Sequence, residues 1–215
     1  MPQISKPRQS QKYKSFKLPF LLLPGLSLVG LIILGWFNAE QVKASDVQLA
    51  QITTQPYSQT GSFPVENFIA YTSPYGYRSS PRGGGGVEFH RGLDIAAPEG
   101  SYIRNWWTGE VISLSDNTAC GTSITIQSGD WKHVYCHMKG HVESSSSGTY
   151  LIDRDGGIQI WKGQQLPTGA RIGRVGMTGR TTGPHLHWGV KYADEYLDPA
   201  LVLQQMYRQQ TGGNG

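Results

Sequence analysis

From Val65 onward the chain is a succession of short apolar runs cut off by glycine, proline and polar turns. Gly109–Ser115, Thr122–Ser128, His133–Met138 and His185–Val190 are typical, and β-branched and aromatic side chains dominate them. Such runs, in a chain with 28 glycines, predict an all-β sandwich or open barrel rather than a helical bundle or an alternating βαβ fold. Residues 65–205, about 140 in all, suffice for one such core. One helix is expected near the end: Asp198 can cap it, Pro199 suits its first turn, and Ala200–Tyr207 are helix-compatible. Residues 206–215 read as a flexible tail.

The amino-terminal part has a different composition. Lys6, Arg8, Lys12, Lys14 and Lys17 precede an uncharged stretch from Leu18 to Phe37, and Val42-Lys43-Ala44 follows as a small-x-small site. Residues 1–44 therefore read as a secretory signal or as a membrane anchor formed by residues 18–37. Either way the rest of the chain is expected outside the cytoplasm, in the periplasm or cell envelope, because the positive charges stay inside. Residues 45–64, rich in Gln, Thr and Ser, read as a linker. Six of the 19 Lys and Arg lie in residues 1–44 against one acid, Glu40, so the remainder holds 13 basic and 14 acidic residues. A nearly neutral folded part excludes a nucleic-acid footprint as the reason for the basic pI.

The two cysteines, Cys120 and Cys136, are not spaced as a C-x-x-C redox motif and flank an expected hairpin. In an extracytoplasmic protein they are expected to form a disulfide. Gly83–Gly86 is not followed by a Lys-Ser/Thr helix, and Gly173–Gly179 lies between strands, so neither reads as a nucleotide loop.

Six histidines remain: His90, His133, His137, His141, His185 and His187. In an extended His185-Leu-His-Trp-Gly-Val190, the two imidazoles share one face while Leu186, Trp188 and Val190 take the other, the core face. In His90-Arg-Gly-Leu-Asp94 the first and last side chains can converge on one point. A histidine and a carboxylate, completed by one more histidine, form the three-ligand open site typical of catalytic zinc. Alternation along His133–Met138 groups His133, Tyr135 and His137 on one face, from which His137 can reach the same groove. His133 and His141 are expected to be surface or strand-end residues without a chemical role.

Taken together, Gly176-Met-Thr-Gly-Arg-Thr-Thr-Gly-Pro-His-Leu-His187, Phe89-His-Arg-Gly-Leu-Asp94 and Tyr135-Cys-His137 resemble the motifs of the lysostaphin-like, or LytM-domain, zinc endopeptidases. The likeness extends from Tyr75-Gly-Tyr-Arg78 to Asp198-Pro199. It implies a small antiparallel β fold with a groove across the sheet and hydrolysis of peptide bonds in bacterial peptidoglycan. It also implies Zn2+ held by His90, Asp94 and His187, with His137 and His185 as the catalytic pair. The division of work between those two stays open, as does the peptide bond cut. The expected partners are peptidoglycan peptides.

The chain departs from the family pattern at Ile103-Arg-Asn-Trp-Trp107 and in an insertion over residues 140–163. The insertion is expected to wall one side of the groove, with Asp153-Arg-Asp-Gly-Gly157 as a hairpin turn. The alternative function is a non-catalytic envelope protein that binds peptidoglycan or activates another wall hydrolase, its groove blocked around Trp106 and Trp107.

Overall fold

The structure, a computed structural model, describes residues 61–81 and 85–212. The signal or anchor expected in residues 1–44, and all of the expected linker up to residue 60, lie outside the described residues. Among those described, no helix is long and apolar enough to cross a membrane.

The strands are short and antiparallel throughout, as the spacing of the apolar runs requires. In chain order, β1 is Ala70–Ser73, β2 Gly76–Ser79, β3 Val87–His90 and β4 Leu93–Ala96. Then come β5 Tyr102–Arg104, β6 Gly109–Ser115, β7 Ser123–Ser128 and β8 Trp131–Cys136. The insertion supplies β9 His141–Ser145, β10 Gly148–Asp153 and β11 Ile158–Trp161. Last are β12 Gln165–Leu166, β13 Arg171–Arg174, β14 His185–Tyr192, β15 Glu195–Leu197 and the helix α1 Pro199–Gln210. The main sheet runs β1-β4-β14-β8-β7-β6-β12, with β15 also on β14. Asp198 caps α1 by accepting from the Ala200 amide at 2.9 Å, and the helix continues to Gln210.

Register divides the sheet into two faces. Leu93, Trp188, Tyr135 and Ile124 stand opposite one another across β4, β14, β8 and β7, and all four are buried. The next row, Ser73, Asp94, His187 and Cys136, crosses β1, β4, β14 and β8 on the other face. Because side chains alternate along a strand, one row builds the core while its neighbour builds an open polar surface.

Trp106 sits at the centre of the core, with ring centroids 5.6 Å from both Trp131 and Trp188. The departure at Ile103–Trp107 thus fills the core. Asn105 turns the chain after β5 by donating its amide to the carbonyls of Leu166 and Pro167.

His133 corrects an expectation: it is fully buried rather than superficial. The Trp106 amide donates to the Tyr135 hydroxyl, which donates to His133 Nδ1 at 2.8 Å; His133 Nε2 faces Ser128 Oγ at 3.0 Å. Burial pushes the His133 pKa down to about 3, so the imidazole is neutral. His141, by contrast, is exposed and pairs with Glu143.

The insertion forms its own three-stranded sheet, β11-β10-β9, with a 3-10 turn at Arg154–Gly156. It is fastened by a two-pronged ion pair, Arg174 Nε and Nη2 each 2.7 Å from the Asp153 carboxylate.

Candidate metal and catalytic site

The open face of the sheet carries a groove of about 950 Å³. Its lining comes from Thr72, Ser73 and Asp94, the β2–β3 hairpin, the Ala119–Cys120 and Gly179–Thr182 loops, and four histidines. No lining residue comes from the insertion 140–163, nor from Trp106 or Trp107. The insertion therefore does not wall the groove, and the two tryptophans do not block it.

His90 ends β3 and Asp94 lies on β4, so the His-x-Gly-x-Asp pair turns a corner instead of running along one strand. The turn passes through Arg91 and Gly92 and brings His90 Nε2 to 3.0 Å from Asp94 Oδ1. His187, paired with Asp94 across β4 and β14, adds Nδ1 at 2.8 Å from the same oxygen and 2.9 Å from His90 Nε2. Among the described residues, His90, Asp94 and His187 are the group of this kind able to hold a metal ion.

The chemistry of this donor set suits zinc. His90 donates its Nδ1 proton to the Pro74 carbonyl at 2.7 Å, which leaves a lone pair on Nε2. Burial holds His187 below the ordinary histidine pKa, although Asp94 opposes it. Burial also works against the Asp94 anion, yet His185, His187 and His90 keep the carboxyl far below the usual range. Two imidazole nitrogens and a carboxylate oxygen thus converge on one place, as a cation requires. The three donor atoms lie 2.8 to 3.0 Å from one another, within reach of one small cation.

Two residues outside the expected set hold this triad. Arg78 donates to Asp94 Oδ2 at 3.0 Å, grips Glu88 with Nε and Nη2, and leaves Oδ1 to the imidazoles. Gly92 lies under the His187 ring. Both sit inside motifs quoted above, but their role depends on contacts that spacing does not show.

His137 and His185 face each other beside the triad with ring centroids 4.9 Å apart. His185 shares its face with His187, as alternation predicts, and donates Nδ1–H to the Gly183 carbonyl at 2.9 Å. Its Nε2 lies 3.5 Å from Asp94 Oδ1. Burial disfavours the His185 cation, but the Asp94 carboxylate outweighs it and raises the pKa. His137 reaches the groove by a different route from the one expected. His133 and Tyr135 point into the core, and strict alternation would send His137 after them. A left-handed backbone, φ 60°, turns it to the other face instead. There it donates Nδ1–H to the Thr178 carbonyl at 2.9 Å, and burial lowers its pKa to about 4. Cys120 and Cys136, at the groove floor, are joined by a disulfide with Cα atoms 5.0 Å apart.

Residues 145–199 match the model of peptidase family M23, a stretch that includes His185 and His187. The DD-carboxypeptidase/endopeptidase Mpg of Neisseria meningitidis serogroup B is 27% identical over 152 residues, which cover 67% of this chain and 30% of that protein. The peptidoglycan DD-endopeptidase ShyA of Vibrio cholerae is 32% identical over 99 residues, 46% of this chain and 19% of that protein. The chain thus spans less than a third of the length of these relatives. A zinc-containing peptidase from Vibrio cholerae has a similar structure, with TM-score 0.50 and 28% identity over 65% of this chain and 38% of that one. With its antiparallel sheet and its His-x-Gly-x-Asp and His-x-His motifs in register, the chain is similar to the M23 peptidases, and its residues 145–199 match that family's model.

Proposed function

We propose that the protein is a zinc-dependent endopeptidase that hydrolyses peptide cross-links of peptidoglycan outside the cytoplasm. The observation that carries this reading is the meeting of His90 Nε2, Asp94 Oδ1 and His187 Nδ1 within 2.8 to 3.0 Å, beside two further imidazoles in an open groove. The named activities of Mpg and ShyA supply the substrate class.

In this reading His90, Asp94 and His187 are the ligands. Bound there, zinc supplies a Lewis acid for the scissile carbonyl and lowers the pKa of water to near neutrality. His137 is neutral at pH 7, and with Nδ1–H held by Thr178 its Nε2 lone pair accepts the proton of the attacking water. His185, oriented by its Nδ1–H bond to the Gly183 carbonyl, points Nε2 at the same place, where its protonated form donates to the developing oxyanion and then to the leaving amine. Arg78 keeps the Asp94 carboxylate aimed while these protons move.

The test is digestion of purified peptidoglycan by the full-length chain, with and without a chelator, with fragments identified by mass. Release of cross-link peptides that stops on chelation and returns with zinc supports the reading. Binding without release in the presence of zinc replaces it by the non-catalytic alternative.

A further inference from the structure

The Cys120–Cys136 disulfide lies directly before His137 in the chain, and Cys120 is tied to that histidine twice. Its sulfur bonds Cys136, and its carbonyl accepts the His137 amide at 2.8 Å. This double tie falls where the backbone leaves ordinary strand geometry, since His137 has φ 60°. A non-glycine residue holds that conformation only where its surroundings over-determine it. Here the Cys120 carbonyl holds the His137 amide, the Gly176 amide donates to the His137 carbonyl at 2.9 Å, and the disulfide joins Cys120 to the residue before His137.

The same loop also carries the group that orients the ring. Gly121 and Gly179 cross backbone to backbone: a Cβ on Gly121 would lie 2.4 Å from the Thr178 carbonyl carbon, and one on Gly179 would lie 2.3 Å from the Gly121 amide nitrogen. Thr122 donates its amide to Thr178 Oγ1 at 2.8 Å, and Arg180 donates its amide to the Ala119 carbonyl at 2.8 Å. The 118–122 loop therefore supports the Thr178–Gly179 segment, whose carbonyl accepts from His137 Nδ1. The loop connects β6 to β7, and the disulfide is its covalent link to β8, the strand that leads into His137. We infer that the Cys120–Cys136 disulfide is a positioning element for His137, fixing both its left-handed backbone and its Nδ1–H tautomer.

The inference rests on the catalytic reading of His137 only for its effect on rate; the orientation of the ring is measured separately. The experiment compares the full-length zinc-loaded protein with its Cys120→Ala/Cys136→Ala variant. It reads imidazole nitrogen shifts after selective 15N-histidine labelling, beside kcat and KM on a soluble cross-linked muropeptide. Expected are a single Nδ1–H tautomer for His137 in the oxidised protein and a tautomer mixture in the variant. With zinc content unchanged, kcat is expected to fall about tenfold or more and KM to stay within about twofold. Reducing the disulfide of the folded parent protein with a water-soluble phosphine, then reoxidising it, makes the same comparison without a mutation. A His137 tautomer and a kcat that survive removal of the disulfide, with only the melting temperature lowered, would overturn the inference. An inactive parent protein whose His137 tautomer still depends on the disulfide would remove the catalytic reading and leave the positioning role standing.

Discussion

Gly92 is packed against the ring of His187 so closely that a Cβ there would lie 2.6 Å from Cε1, 2.7 Å from Nε2 and 2.8 Å from the Trp188 carbonyl oxygen. The backbone of one ligand-bearing turn is therefore the platform on which another ligand rests. Gly92→Ala is predicted to push His187 away from Asp94 and weaken zinc affinity about 10- to 100-fold. The same clash should cost about 1–3 kcal/mol of stability. Competition with a chromophoric chelator reads the first effect and denaturant unfolding the second. A Gly92→Ala protein that binds zinc as the parent does would show that the platform has slack.

Arg78 has an equivalent effect on Asp94. It occupies Oδ2, so the carboxylate offers Oδ1 alone toward the imidazoles. Arg78→Met keeps much of the bulk and removes the donors. Zinc affinity is predicted to fall about 10- to 100-fold while the fold persists, as judged by circular dichroism. Unchanged affinity would mean that His90 and His187 orient the carboxylate without help.

Buried His133 makes stability depend on pH. Its folded pKa of about 3 lies below the ordinary value near 6.5, so below pH 6.5 the unfolded chain binds the extra proton. Its contribution is complete above pH 6.5 and is lost as pH falls toward 3, at up to about 1.4 kcal/mol per pH unit. A His133→Gln variant should lose stability more slowly over pH 6.5 to 4.5 in urea titrations. Equal slopes for the two proteins would contradict a neutral buried His133.

Asp153, 5% exposed, has Arg174 as its countercharge, and the Arg174 guanidinium holds its carboxyl below the usual range. Arg174→Met is predicted to destabilise the protein by about 3–5 kcal/mol, because it strands a buried carboxylate. The double variant Arg174→Met/Asp153→Leu should recover more than half of that loss. Chemical denaturation at pH 7 measures both.

The parts of the site that follow from strand alternation were legible in the sequence. His185 and His187 share the open face because Leu186, Trp188 and Val190 need the core, and register then brings Asp94 beside His187. The capped helix after Asp198 was legible for a local reason, its side chain meeting the Ala200 amide. Alternation failed along β8. Tyr135 and His133 form a buried polar chain with Trp106 and Ser128, and a single left-handed residue returns His137 to the groove. Nothing in Tyr-Cys-His announces that reversal, because the cause is tertiary: the Cys120 and Thr178 carbonyls hold it. The insertion was visible as extra length, but its position away from the groove comes from tertiary contacts, among them the Arg174–Asp153 pair, the Asp116 carboxylate on the Val142 amide and the burial of Leu151, Ile158 and Ile160.

The most direct test of the account measures bound zinc and peptide release side by side in four full-length proteins: the parent, Asp94→Ala, His137→Ala and His185→Ala. Asp94→Ala is predicted to lose both zinc and release. His137→Ala and His185→Ala are predicted to keep one zinc per chain while release falls by about 10²- to 10⁴-fold. Parent-like release from either histidine variant, or zinc retained with full release in Asp94→Ala, would contradict the division of this site into three ligands and two proton-handling imidazoles.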